Sequence, residues 1–335
     1  MKLVFFGKFA RETVGGAIAA VPDVLLSYAE EVSELAEAVV DAEGLILVGP
    51  AFSAEVAAAV SGAPKLRWIQ TLSAGYENLQ RFGIPREVTV TNAGDSWAIP
   101  VAEHAMGLLL ALVKHLPEAV KQQERREWGR HFAPQMSSLQ GRTMALVGFG
   151  AIGKAVAQRA RAFGMDIIAV TRSGKPSELA SRVYPTSELK SALKIADVVV
   201  VAVPSHGDTM NLMNAETLRA CKAGSILINV ARGDVVDQDA LGDALHSGHL
   251  SGAGLDVTNP EPLPETSSLW DAPNLLITPH VAGGGNFVTN RLAELAVENV
   301  SRQLRGQELR CVVIAGKSKD AGRESAHHTR SALAS

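Results

Sequence analysis

The sequence predicts an α/β protein of two domains, at least one of them a doubly wound parallel sheet. Six short apolar segments recur between residues 143 and 280, at 143–147, 166–170, 197–203, 225–230, 252–257 and 274–278. Each is rich in Val, Ile, Leu and Ala and lacks polar alternation, as strands covered on both faces of a parallel sheet do. Helical patterns lie between several of them, which is the βα alternation of a doubly wound domain. A weaker form of the same alternation fills the N-terminal third. At roughly 100–200 residues per domain, a chain of 335 residues has room for two cores.

The elements follow in chain order. Lys2–Phe6 is a first strand, its apolar stretch too short for a signal peptide. Further strands are predicted at 44–48, 66–71 and 88–91, with Ala-rich helices between them. Pro100, a favourable first-turn residue, begins a long helix through Ala102, Ala105, Met106, Leu109 and Leu112 toward Lys114. Little polar face remains on it, so it is expected to be buried, in part against a second subunit. Gly150 opens a helix with Ile152, Val156 and Ala160 on one face. Asp237 is the expected N-cap of another, with Leu241, Ala244 and Leu245 inward and Gly248 past its end. A last helix covers about 288–304, and the polar, patternless stretch 316–335 reads as a disordered tail.

Composition excludes several classes. With 47% hydrophobic and 20% charged residues the chain is neither disordered nor fibrous. Lys and Arg number 32 against 35 Asp and Glu, leaving no excess of positive charge for a phosphate backbone, so no nucleic-acid partner is expected. No apolar run approaches the ~20 residues of a membrane span, and no membrane partner is expected. Cys221 and Cys311 stand alone, with neither CxxC nor metal-ligand spacing. No metal site is expected, and a reducing, cytoplasmic location fits.

The most specific local signal is Gly148-Phe149-Gly150-Ala151-Ile152-Gly153. It follows a predicted strand directly and opens a helix, the context that a dinucleotide fingerprint requires. Gly148 permits the tight turn, Gly150 admits the pyrophosphate, and Gly153 lets helix and strand pack closely. The N–H groups of Ala151 and Ile152 start a helix whose positive end faces the anion. The second strand ends at Thr171-Arg172-Ser173, with Lys175 close behind. A carboxylate there would bind the ribose 2′-hydroxyl of NAD; hydroxyls and a guanidinium suit a 2′-phosphate, so NADP(H) is the expected cofactor, with NAD(H) as the alternative.

Ligands of open α/β sheets sit at the carboxyl ends of the strands. Those ends carry Val203-Pro204-Ser205-His206, Ala231-Arg232-Gly233, Asp256 with Glu261 shortly after, and Pro279-His280. Arg232, Glu261 and His280 supply the parts needed to reduce a carbonyl beside a carboxylate. Arg232 is a permanent cation that grips a carboxylate or polarises a carbonyl. His280 can give a proton to the developing alkoxide, and Glu261 can hydrogen-bond and orient that ring. His206, also at a strand end, reads as a rim residue. His104 and His115, on the apolar helix, read as structural.

These residues resemble the D-isomer-specific 2-hydroxyacid dehydrogenases over about 40–310. The resemblance rests on the glycine motif, on Ile228-Asn229-Val230-Ala231-Arg232-Gly233-Asp234 through Asp237, on Gly254-Leu255-Asp256-Val257 with Glu261-Pro262-Leu263-Pro264, on Leu269-Trp270, and on Thr278-Pro279-His280. It implies that Arg232, Glu261 and His280 are catalytic and that Asp256 contacts the nicotinamide amide. It also implies a Rossmann cofactor domain, about 99–286, and a flavodoxin-like substrate domain, 1–98 completed by 287–315. The loop Leu72-Ser73-Ala74-Gly75-Tyr76 is then the one holding the substrate carboxylate through N–H groups, and the helix from Pro100 builds a homodimer.

Two departures from the family pattern stand out. Thr171 occupies the position where the family commonly has Asp, and Val257-Thr258-Asn259-Pro260 replaces the usual aromatic after Asp-Val. Related formate dehydrogenases carry Gln where this chain has Glu261, which argues against formate. The expected function is reduction of a small 2-keto acid of the glyoxylate or hydroxypyruvate type to its D-2-hydroxy acid. The alternatives are a dinucleotide-sensing, corepressor-like binding protein, or a related dehydrogenase of a different acid.

Overall fold

A computed structural model describes residues 1–317. The chain divides into two compact units, Met1–Trp97 together with the chain from Gly285 onward, and Ala98–Gly284.

In the first unit β1 (Lys2–Phe6), β2 (Leu25–Ala29), β3 (Gly44–Leu47), β4 (Trp68–Thr71) and β5 (Thr89–Thr91) form a parallel sheet of order β2-β1-β3-β4-β5. Successive residues of β1 feed opposite faces. Val4 and Phe6 join a cluster with Leu45, Leu47, Val56 and Val60, whereas Leu3 and Phe5 pack with Ile46 and Trp68 against Val288, Leu292 and Val300. The last three belong to the helix Asn286–Leu304, so the chain's return covers the second face. Apolar residues on both faces explain why β1 and β3 show no alternation.

The second unit holds β6 (Thr143–Val147), β7 (Asp166–Thr171), β8 (Arg182–Pro185), β9 (Val198–Val201), β10 (Ser225–Asn229), β11 (Leu250–Leu255) and β12 (Leu275–Ile277). They form one parallel sheet of order β12-β11-β10-β9-β6-β7-β8. Chain order runs outward in both directions from the β6–β9 pair, which makes the carboxyl ends of those two strands the topological switch point. The helix Ala98–Val113 buries Ala102, Ala105, Met106, Leu108 and Leu109. The helix Gln238–His246 is capped as expected, the Asp237 carboxylate accepting from the Ala240 N–H at 3.0 Å.

Seven strands stand where six are predicted. The unpredicted β8 is a four-residue edge strand, Arg-Val-Tyr-Pro, whose composition carries no apolar run. β2 escapes notice for the same reason: it is an edge strand with Leu25 68% exposed and Ser27 and Tyr28 open to solvent. A last strand, β13 (Val312–Ile314), pairs antiparallel with β5, so the first sheet is not wholly parallel. Gly316 and Lys317, which fall in the expected tail, are held in place: the Gly316 N–H donates to Thr89 Oγ1 at 3.1 Å and the Lys317 N–H to the Arg86 carbonyl at 2.8 Å. The remainder of that predicted tail, 318–335, lies outside the described residues.

Candidate active site

The three motif glycines are required for three different physical reasons. Gly148 has φ +98°, and a Cβ there would lie 2.5 Å from the Ala202 carbonyl oxygen and 2.9 Å from Val203. A Cβ on Gly153 would lie 2.3 Å from the Gly148 carbonyl oxygen, so helix and loop touch backbone to backbone. At Gly150 a Cβ would meet nothing within 4 Å. Protein packing therefore demands glycine at the first and third positions, and the second keeps a space open. That space lies at the start of the helix Ala151–Ala162, which has no side-chain cap and no acidic residue in its first turn. The N–H groups of Ala151, Ile152 and Gly153 lack intrahelical acceptors by their position, so this end favours an anion. A dinucleotide pyrophosphate fits both features.

At the end of β7 the Thr171 hydroxyl accepts from the Gly174 N–H at 3.0 Å, closing a turn in which Gly174 has φ +62°. Ser173 accepts from the Lys175 N–H at 3.4 Å, and Arg172, Ser173 and Lys175 are exposed. No carboxylate stands at this strand end. Pro204, after β9, uses its carbonyl to accept the Thr209 hydroxyl at 2.7 Å, beside the exposed His206.

Beyond β10, the buried Asn229 side chain shapes the loop that carries Arg232. It accepts from the Ala231 N–H at 3.0 Å and donates to the Arg232 carbonyl at 3.0 Å. Arg232 donates in turn to the Ala231 carbonyl at 2.8 Å. Directly after it, a Cβ on Gly233 would lie 2.0 Å from the Thr258 carbonyl carbon and oxygen. Arginine loop and glutamate loop thus touch through their backbones. The Thr258 N–H donates to Glu261 Oε1 at 3.1 Å, and Glu261 Oε2 lies 2.8 Å from His280 Nδ1. Ionised Glu261 only accepts, so Nδ1 carries the proton of that contact and Nε2 is the nitrogen left for chemistry.

His280 itself has φ +53°, a conformation that β-carbon-bearing residues adopt only when the surroundings hold it. Asp256, 2% exposed, provides the hold. Its carbonyl accepts the His280 N–H at 2.8 Å, its Oδ1 accepts the Val281 N–H at 2.9 Å and the Thr278 hydroxyl at 2.7 Å, and its Oδ2 accepts the Ala282 N–H at 3.0 Å. The carboxylate expected at the nicotinamide amide is thus also the anchor of the histidine loop. His104, expected to be structural, reaches this anchor: its Nε2 lies 2.8 Å from Thr278 Oγ1 and 3.4 Å from Asp256 Oδ1.

In the first unit the loop after β4 is clamped by hydroxyls. Ser73 Oγ donates to the Gly75 carbonyl at 2.6 Å and accepts the Gly49 N–H at 3.0 Å, and Asn92 donates to the Ala74 carbonyl at 2.7 Å. The Ser73 N–H is taken by Thr71 Oγ1 at 3.1 Å, which removes it from the expected set of carboxylate donors. Among the described residues the N–H groups of Ala74 and Gly75 donate to no protein acceptor.

Asn229, Thr278 and His104 are the contributors that sequence reasoning missed. A polar residue at the buried end of an apolar strand is the one available signal, and it points to Asn229. Among the described residues no cluster of His, Cys, Asp or Glu could hold a metal ion. No single helix among them is long and apolar enough to cross a membrane.

A doubly wound dinucleotide sheet with Arg, Glu and His side chains beyond its strand ends defines a nicotinamide-dependent oxidoreductase. The family model for the D-isomer specific 2-hydroxyacid dehydrogenase NAD-binding domain matches residues 106–282. A glyoxylate reductase of Pyrococcus furiosus is 36% identical over 255 residues, 73% of this chain and 75% of that protein. A family member from Aeromonas salmonicida superposes with a TM-score of 0.82 at 31% identity, over 93% of this chain and 98% of that one. Another from Xanthobacter autotrophicus, solved with NADPH, gives 0.77 at 27% identity, over 93% and 98% of the two chains. The chain belongs to the D-isomer specific 2-hydroxyacid dehydrogenase family and is an oxidoreductase acting on CH–OH donors.

Proposed function

We propose that the protein reduces a small 2-keto acid, glyoxylate or hydroxypyruvate in type, to the D-2-hydroxy acid, with NADPH preferred over NADH. The observation that carries this reading is the Glu261–His280 contact at 2.8 Å beyond the ends of the sheet that bears the glycine loop. When bound, the reduced nicotinamide supplies a hydride to C2 of the keto acid. His280 gives the Nε2 proton to the carbonyl oxygen, so the carbon gains the hydride and the oxygen the proton. Glu261 keeps Nδ1 protonated throughout and steadies the positive ring before transfer. Arg232 holds the substrate carboxylate and polarises the adjoining carbonyl. Within the first unit, the Ala74 and Gly75 N–H groups suit a carboxylate.

Three further assignments belong to this reading. The units serve as substrate domain, from both chain ends, and cofactor domain. The NADPH preference is supported by Thr171 and exposed Arg172 where a carboxylate would repel the 2′-phosphate, and by the relative solved with NADPH. A cytoplasmic homodimer is supported by two lone cysteines and by Leu116, Val120 and Trp128, apolar and exposed beside the buried helix. The test is turnover of purified protein with NADPH and a panel of 2-keto acids, followed at the nicotinamide absorbance band. The smallest acids should be the best substrates; no oxidation of NADPH with any member of the panel refutes the proposal.

A further inference from the structure

Along one row of the helix Ala98–Val113, residues 104, 108 and 112 face alternate positions of β11 and its continuation, 256, 254 and 252. Leu112 lies 3.4 Å from where a Cβ on Gly252 would stand, and Leu108 3.1 Å from one on Gly254. Four helical residues rise about 6 Å and two strand residues about 6.6 Å, so the match persists along the row. The two glycines let the helix settle onto the strand, and the next step brings His104 to Asp256. There the His104 Nε2 is 3.4 Å from Oδ1 and 2.8 Å from Thr278 Oγ1.

The hydrogen-bond chemistry of this cluster is directional. The Asp256 carboxylate only accepts, so the 2.7 Å contact to Thr278 uses the hydroxyl's one proton. Thr278 can then only accept from His104, which makes the ring an Nε2–H donor. The relay runs from His104 through Thr278 to Asp256, and Asp256 holds the backbone of 280–282 in its left-handed turn.

We propose that His104 is a positioning residue for the reaction, acting through Thr278 and Asp256 to fix the loop that presents His280. The inference rests on the reading of His280 as proton donor. Without the His104 donor, the Thr278 hydroxyl loses the partner that fixes its rotamer and polarises its bond to Oδ1, so that bond weakens and the side chain is freer to turn. Asp256 then holds the histidine loop with one donor fewer, and the His280 ring loses its alignment while the rest of the sheet is untouched.

The experiment uses the full chain with glyoxylate and NADPH as probes. His104→Leu should lower kcat about tenfold while the Kd for NADPH stays within about twofold, because small misplacement of a reacting group acts on turnover. His104→Gln should recover most of that loss, its amide nitrogen standing where Nε2 stood. Thr278→Val should reproduce the loss, and His104→Leu should add nothing to it, as expected for two members of one relay. Should His104→Leu fail to fold, the Gln and Thr278→Val variants decide. Parental kcat in His104→Leu or in Thr278→Val overturns the proposal, as does a Gln variant no better than Leu. His280→Ala, assayed in parallel, separates the two layers. An inactive Ala variant beside an unaffected His104→Leu sinks only the relay, whereas an active Ala variant sinks the proton-donor reading beneath it.

Discussion

Glu261 Oε2 and His280 Nδ1 meet at 2.8 Å, and the other carboxylate oxygen is spent on the Thr258 N–H at 3.1 Å. Both oxygens face donors, so neither can be exchanged for an amide NH2 without conflict. In Glu261→Gln the NH2 either opposes the Thr258 N–H or faces Nδ1 and forces the imidazole into the wrong tautomer. Turnover should fall by about 10²-fold with the protein still folded. Steady-state kinetics beside circular dichroism checks this, and an unchanged kcat contradicts the orienting role.

The glycine loop separates folding from ligand binding. Gly150→Ala adds a methyl where nothing lies within 4 Å, so the melting temperature of the apoprotein should barely move. Dinucleotide affinity should drop by about tenfold or more, because the methyl fills the space that the pyrophosphate needs. Gly153→Ala drives the same methyl to 2.3 Å from the Gly148 carbonyl and should lower the melting temperature itself. Thermal unfolding paired with fluorescence titration of NADPH distinguishes the two.

Cofactor choice is read at the end of β7. A guanidinium on a 2′-phosphate makes a charge-assisted bond of roughly 1.5–3 kcal/mol, which is about 10- to 100-fold in kcat/KM. Arg172→Ala should lose that factor with NADPH and leave NADH unaffected, and Thr171→Asp should invert the preference. Equal use of both nucleotides by the parent protein contradicts the assignment.

A structural ion pair makes stability depend on pH. Burial opposes ionisation of Asp197, but the Lys222 ammonium at 2.6 Å and the Thr143 N–H at 2.9 Å outweigh it and hold the carboxyl below its usual 3.8. Because the folded value lies below the unfolded one, the stabilisation is complete above the unfolded value and is lost as pH falls through the folded one. Asp197→Asn should therefore cost about 1 kcal/mol at neutral pH, the half-exposed lysine limiting the gain, and progressively less below the ordinary aspartate range. Urea unfolding at neutral and acidic pH measures the difference.

Legibility from sequence followed burial and chain distance. β6, β9, β10 and β11 carry apolar residues on both faces and announce themselves, whereas β2 and β8 sit at sheet edges and look like loops. Arg232, Glu261 and His280 could be collected because each follows a legible strand end. The hold on His280 could not: His104 meets Thr278 across 174 residues of sequence, through a helix register that no local pattern encodes. Nor does any pattern tell that the Ser73 N–H is already used by a neighbouring hydroxyl.

The most direct measurement compares glyoxylate turnover by the parent protein and by His280→Ala, with NADPH affinity determined on the same samples. A fall of about 10² to 10⁴ in kcat with the Kd for NADPH preserved is the predicted result. Turnover by the Ala variant close to the parent's rate would contradict the account.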